Sequence, residues 1–270
     1  MSRVNLFGIE FDAVTRREAL EKLLAFVQSG KEGQLSAQLA VTVNVQILVN
    51  ARSHFPALLP IINAAQLVIP DGAPLVFLSR FFRPRLPERI AGSDFIYDIA
   101  EGASQKGFSI YFLGGDEEDN LKAIEHLKSR CPGLIIAGHD CPYIQLEPDA
   151  AHVAEEAEIC RRITDAKTDL LIVGLGNPKQ ELFVHRNTTR LNGLVAIGLG
   201  GTFNFLSKRT RRAPKWIQNI GFEWLYRTIQ EPRRLFMRYF LDAFHLAAYI
   251  RIEPFRRLKE KRGRPPGRRP

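Results

Sequence analysis

The 270-residue chain has no apolar run of the roughly 20 residues that a membrane-spanning helix needs, its longest candidates being broken by Arg238 and Asp242 or by glycines. Its opening residues, MSRVNLFGIEFDAV, show no basic stretch followed by an apolar core and a small-residue cleavage site, so no secretory leader is read there and a cytoplasmic protein is expected. Cysteine is scarce: Cys131, Cys141 and Cys160 leave one over from any intramolecular disulfide and fit no zinc spacing, which points to reduced, structural thiols. The six histidines form no close pair, and there is no D-x-D triplet to hold a divalent ion against a diphosphate, so no metal site is expected. Two nucleotide motifs are missing as well. No G-x-x-x-x-G-K-[ST] occurs, and G-x-G-x-x-G fails because its third glycine would fall on Lys179 and no acidic residue follows at the ribose position. No cofactor is called for.

What the chain does have is an uneven charge. The net is +9, but from Gly201 onward there are 18 Lys and Arg against 5 Asp and Glu, which leaves the first 200 residues slightly acidic. A one-sign excess of this kind points to an anionic partner, either nucleic acid or an acidic membrane surface.

Apolar segments recur along the first three quarters of the chain: LAVTVN, LVIPDG, FSIYFLGG, LIIAG, DLLIVGLG and LVAIGLGG. Each ends in small or polar residues and reads as a strand. Most are separated by helical patterns such as DEEDNLKAIEHLKSR, and an earlier helix is announced by the capping box of Thr15 and Glu18. This alternation predicts an α/β class with a Rossmann-like sheet of parallel strands and crossover helices over residues 1–205. In such sheets ligands bind beyond the carboxyl ends of the strands. The pattern then changes to a helical C-terminal appendage over 206–252, broken around Pro214, Gly221 and Pro232, and to a basic tail over 253–270 too rich in Pro, Gly and Arg to bury a core.

Several strand ends carry groups suited to chemistry. Asp71 follows LVIP and precedes Gly72, where a carboxylate either caps the next helix or stands at the mouth of the crevice. Gly114 and Gly115 in FLGG, and Gly174 and Gly176 in GLGNPKQE, let backbone approach a ligand, and Lys179 adds a positive charge beside the second pair. An ordinary tight βα turn accounts for the same glycines. With no metal signature, the charge of a leaving diphosphate would fall to arginine, lysine or backbone dipoles.

Together, VTVN, PDG, RIAGSD, FLGG, GLGNPKQE, GLGGTFNF and RAPKW, followed by GFEWLYRTIQEPRR, resemble the WecG/TagA/CpsF family of bacterial glycosyltransferases, from about Val4 to about Tyr239. The chain departs from the family at Asn204, where aspartate is usual, and around Ser207 and Lys208, where a glycine often stands. The resemblance implies transfer of a sugar from a UDP-sugar to a saccharide on undecaprenyl diphosphate, without a metal and with inversion, at the cytoplasmic face of the cell membrane. It further implies that Asp71 is the general base that takes the acceptor hydroxyl's proton. Thr42 and Asn44 line the same crevice, and Arg89 contacts donor or acceptor, unless it forms a surface ion pair.

By the same resemblance, Gln180 and Glu181 hold sugar or ribose hydroxyls, unless they are solvated helix residues, and Gly200, Gly201 and Thr202 join the substrate-binding positions. Arg227 and Arg234 are the appendage arginines that would reach a diphosphate. Phe203, Trp216 and Trp224 read as core residues. The expected partners are a UDP-sugar, a lipid-linked acceptor and an anionic membrane surface. A nucleic-acid-binding protein would use the same basic tail and a nicotinamide oxidoreductase the same sheet, but neither gives PDG or GLGNPKQE a task.

Overall fold

A computed structural model describes residues 2–33, 37–207, 209, 213–214, 217, 223–230 and 232–262, with the side chains of 223, 224, 227, 233, 234 and 252–262 outside the description. The chain forms two compact units, Met1–Arg212 and Ala213–Pro270.

The first unit opens with an antiparallel hairpin of β1 (Arg3–Leu6) and β2 (Ile9–Asp12). Helix α1 (Arg16–Lys31) follows, its N-terminus closed by the expected capping box: the Thr15 hydroxyl accepts from Glu18 N, and the Glu18 carboxylate accepts from Thr15 N. All six expected strands then appear, as β3 (Gln38–Val43), β4 (Leu67–Pro70), β5 (Ser109–Leu113), β6 (Ile135–Asp140), β7 (Leu170–Val173) and β8 (Val195–Gly198). They form one parallel sheet in the order β4-β3-β8-β7-β5-β6.

Connections include α2 (Val45–Val49), a π-helical turn (Asn50–His54), α3 (Leu58–Ala64), α4 (Ala73–Ser79) and α5 (Gly92–Lys106). Beyond β5 come α6 (Glu117–Arg130), α7 (Ala150–Asp165), α8 (Lys179–Arg186) and α9 (Thr202–Leu206). Alternate strand residues serve two cores. Ala40, Ile69, Ile110, Phe112, Ile172 and Ile197 join the cluster that also holds residues of α1, α5 and α6, while their neighbours, such as Val41, Leu113 and Val173, are buried on the opposite side. Sheets covered on both faces read as unbroken apolar runs, which is why the strands were legible without a polar alternation.

This topology sets where a ligand can bind. The chain leaves β5 toward β6 but leaves β7 toward β8, so these adjacent strands send their connections in opposite directions and open a crevice at their carboxyl ends. One register row, Val41, Gly198, Val173, Leu113 and Asp140, marks the common level of those ends. Strand β3 continues two residues past this row to Val43, opposite Pro70, so Asn44 and Asp71 stand forward of the glycine turns.

In the second unit, helix Glu223–Gln230 is followed by helix Pro232–Arg262, with proline opening the first turn of the longer helix. The units divide at Arg212/Ala213, and the long helix runs past residue 252, through Pro254, to Arg262. Residues 263–270 of the expected tail lie outside the described residues.

Candidate active site

Asp71 stands one residue beyond β4, and its backbone fixes it: Asp71 N donates to Val43 O at 2.8 Å, prolonging the ladder past the strand. Gly72, not Asp71, is the N-cap of α4, and no side chain caps that helix. The capping alternative for this carboxylate therefore does not apply to α4. The segment RIAGSD is brought alongside by Ile90 N, which donates to Pro70 O at 2.8 Å and so seats half-buried Arg89 beside the end of β4. Gly92 then faces the carboxylate: a Cβ there would lie 3.8 Å from Asp71 Oδ2, 3.5 Å from the Thr202 hydroxyl and 3.3 Å from a Leu199 methyl. Asp71, past the end of β4, thus converges with the first residues of α5 and α9, Gly92 and Thr202.

Asn44 N-caps α2, its Oδ1 accepting from Ile47 N at 3.0 Å, and a Cβ on Gly72 would lie 3.9 Å from the Asn44 Cα and Cβ. Thr42 is buried, and its hydroxyl donates to Gly198 O at 2.8 Å, locking β3 to the end of β8. Thr42, Asn44, Asp71, Arg89 and Thr202 therefore belong to one neighbourhood at the β4, β3 and β8 ends.

Gln180 and Glu181 do not face solvent; they are 2% and 1% exposed. Gly198 leaves room for Gln180, since a Cβ there would meet the Gln180 amide at 2.5 Å. Gln180 Oε1 accepts from Gly200 N at 3.1 Å while its Nε2 donates to Glu181 Oε1 at 2.7 Å. The other Glu181 oxygen accepts from Asn177 Nδ2 at 2.9 Å, and Asn177 Oδ1 accepts from Asn50 Nδ2 at 2.6 Å. This chain of amides ties the π-helical turn, the GLGNP turn and the β8 loop around one buried carboxyl. Burial raises the Glu181 carboxyl to about 7 against the lowering effect of its hydrogen bonds. The solvated reading of both residues is thereby corrected: their hydrogen bonds turn them inward. Asn50 and Asn177 were not singled out by sequence reasoning, and Asn50 offered no signal, because its partner is 127 residues away.

The glycine pairs have a packing explanation. Phe203, 1% exposed, lays its ring across both, so that a Cβ on Gly174 would come within 2.5 Å of it and one on Gly115 within 2.9 Å. Gly114 N donates to Asp140 O, and Gly174 N to Leu113 O, both at 2.7 Å. Gly176 and Gly200 adopt positive φ, and among the described residues nothing lies within 4 Å of a would-be Cβ on either or on Gly201, so these three offer open backbone at the crevice. Lys179 sits at the start of α8 with its Nζ 4.2 Å from the ring centre of Tyr143.

The acidic DEED run is a helix start, as its sequence implies. Asp116 caps α6, and buried Asp119 accepts from Arg209 at 2.8 Å. Burial alone would raise the Asp119 carboxyl, but hydrogen bonds from Arg209 and Ser207 bring it below the ordinary value. Among the described residues no three His, Cys, Asp or Glu side chains gather as metal ligands. The side chains of Arg227, Arg234 and Trp224, and all of Trp216, lie outside the described residues.

The sequence profile described as the glycosyl transferase WecG/TagA/CpsF family matches residues 4–260, nearly the whole chain. The chain belongs to that family. A WecG/TagA/CpsF chain is also what its similarities indicate. It is 31% identical over 194 residues to the N-acetylglucosaminyldiphosphoundecaprenol N-acetyl-beta-D-mannosaminyltransferase of Bacillus spizizenii, covering 72% of each chain. It is 32% identical over 196 residues, again 72% of each, to the protein of the same name from Bacillus subtilis. Against the namesake from Staphylococcus aureus strain MW2 it is 27% identical over 234 residues, 87% of each. With membership of WecG/TagA/CpsF established, the nucleic-acid-binding and nicotinamide readings of the same sheet and tail are set aside.

Proposed function

We propose that this glycosyltransferase moves a sugar from a UDP-sugar to a saccharide carried on undecaprenyl diphosphate, inverting the anomeric centre, at the inner face of the cell membrane during synthesis of a surface polysaccharide. The observation that carries the proposal is the placement of Asp71, a carboxylate held by the backbone at a strand end where Asn44, Arg89, Gly92 and Thr202 converge. A sugar hydroxyl is a poor nucleophile until its proton is taken, and Asp71 is the group assigned to take it. The acceptor oxygen then bonds the anomeric carbon as the bond from that carbon to the diphosphate oxygen breaks, and UDP departs with the electron pair. A single displacement at an α-linked nucleotide sugar produces a β-linkage, the linkage named for the relatives' reaction.

The open backbone at Gly176, Gly200 and Gly201 is assigned to the donor, Arg89 to a substrate phosphate or hydroxyl, and Lys179, Arg227 and Arg234 to the charge of the leaving diphosphate. Thr42, Gln180 and Glu181 hold the shape of the pocket through the bonds described above. The relatives' names supply the first sugar and acceptor to offer, N-acetylmannosamine, here as its UDP derivative, and N-acetylglucosaminyl-diphosphoundecaprenol, within a wider panel of UDP-hexoses resolved by mass spectrometry of the product.

Asp71→Asn is expected to lower turnover by about 10²-fold or more while melting temperature and UDP affinity stay near the parent's. Near-parental turnover would remove Asp71 from the mechanism. Transfer is also expected to persist in EDTA, since cationic side chains are given the diphosphate. Abolition by EDTA and recovery with Mg²⁺ or Mn²⁺ would place a metal in the reaction.

A further inference from the structure

Helix α4 begins two residues after Asp71 and presents an outward face that the reaction itself does not need. Phe77 and Phe81 are 56% and 73% exposed, their rings meeting edge to face at 6.2 Å, with the Arg80 guanidinium 5.6 Å from the Phe77 ring centre. Arg83 and Arg85 follow, both exposed, and no acidic residue occurs from 77 to 85. The nearest acid beyond, Glu88, accepts from Arg16 N at 2.7 Å and is engaged with the start of α1.

These aromatic rings are not exposed for want of local order. Leu75 and Ser79 are buried on the inner side of α4. The Ser79 hydroxyl donates to Val76 O at 2.7 Å and accepts from Leu86 N at 3.1 Å, while Phe82 packs edge to face on Phe7 at 6.0 Å. A fixed backbone therefore displays two large apolar side chains with Arg80 on one ring and two more exposed arginines following in sequence, a combination that costs hydration in free solution and asks for a covering surface.

We infer that Phe77 and Phe81, with Arg80, Arg83 and Arg85, dock the first unit on an anionic lipid surface, independently of the basic C-terminal helix. The inference rests on the proposal that the acceptor is lipid-linked. An acceptor whose sugar hydroxyl lies at Asp71 has its diphosphate, and hence the bilayer interface, only one or a few sugars away. Phe77 lies four residues along α4 from Ala73, about 6 Å of helix rise, and Ala73 is itself only two residues past Asp71. Phenylalanine rings suit the boundary between headgroups and acyl chains, and arginines suit the phosphates above it. A second copy of the chain is a poorer occupant, because a two-fold contact through this face would set its arginines against one another.

The test compares the full-length parent with the Phe77→Ser/Phe81→Ser double variant and the Arg80→Gln/Arg83→Gln/Arg85→Gln triple variant. Each is sedimented with vesicles of phosphatidylcholine, with and without phosphatidylglycerol, and assayed on an acceptor dispersed in detergent. The expected result is a partition to anionic vesicles about tenfold weaker for the double variant, and a flatter salt dependence for the triple variant, while melting temperature and detergent turnover are unchanged. Unchanged vesicle partition in both variants overturns the inference. So does a parent that is dimeric by sedimentation velocity and made monomeric by the double variant without loss of vesicle binding, which would assign the face to self-association. Failure of the proposed reaction is separately visible, as the absence of transfer by the parent in detergent.

Discussion

At Glu181 the buried carboxyl rises from an ordinary 4.5 to about 7, chiefly through desolvation. The folded protein then holds a proton that the unfolded chain has released, so stability is fully present below the unfolded value, declines as pH rises through the interval and levels off above the folded value. Glu181→Gln removes that dependence. The variant's stability relative to the parent is expected to be greater at about pH 8 than at about pH 5, by up to roughly 3 kcal/mol, in urea denaturation. A relative stability that does not change with pH would mean Glu181 is ionised throughout. The surrounding amides can serve either form: when the carboxyl, or a glutamine in its place, has a hydrogen to donate, the Asn177 and Asn50 amides reverse and the chain of donors and acceptors stays complete. None of this was legible in KQE. Burial of Gln180 depends on Gly198 and Gly200, which meet it only through the sheet, and Gln180 with Asn177 holds Glu181, whereas the first turn of a helix looks solvated when read alone.

Whole elements were far more legible than these side chains, because strand and helix patterns are local. The six strands and the α1 capping box follow from apolar runs and from Thr15 with Glu18 three residues on. The two glycine turns were also found, but their packing role was hidden, since Phe203 reaches Gly115 and Gly174 from an element much later in the chain. That contact makes a prediction about the turn as a unit. Gly174→Ala places a methyl 2.5 Å from the Phe203 ring and is expected to destabilise the first unit by about 1–3 kcal/mol, measured by the urea midpoint, through overpacking of α9 against the sheet. If the glycine were present only to admit a phosphate, the same variant would keep its stability and lose UDP affinity instead.

The molecule as a whole divides its charge as the sequence implies, with an excess of cations after Gly201 and a long helix that exposes Phe236, Met237, Phe240 and Phe244. Each Lys or Arg near an acidic leaflet contributes about 1 kcal/mol, so membrane association is expected to weaken as salt rises. Arg227→Gln with Arg234→Gln separates anchoring from chemistry: in detergent, with a soluble acceptor analogue, turnover is expected to fall about tenfold or more if these side chains hold a diphosphate. Intact turnover with reduced liposome binding would leave them an anchor alone.

One margin of the sheet is closed in a way of its own. Strand β4 is the end of the sheet, and Asp71 N and the rest of its inward ladder face β3. On its open side Val68 N is taken by buried Asp12 Oδ2 at 2.9 Å, while Pro70 has no N–H to give. A seventh strand, whether from a neighbouring molecule or a misfolded copy, finds no hydrogen there to pair with. The carboxylate assigned to the chemistry thus sits at a rim of the sheet whose outward N–H groups are already taken or missing, which leaves that rim to sugar rather than to another strand.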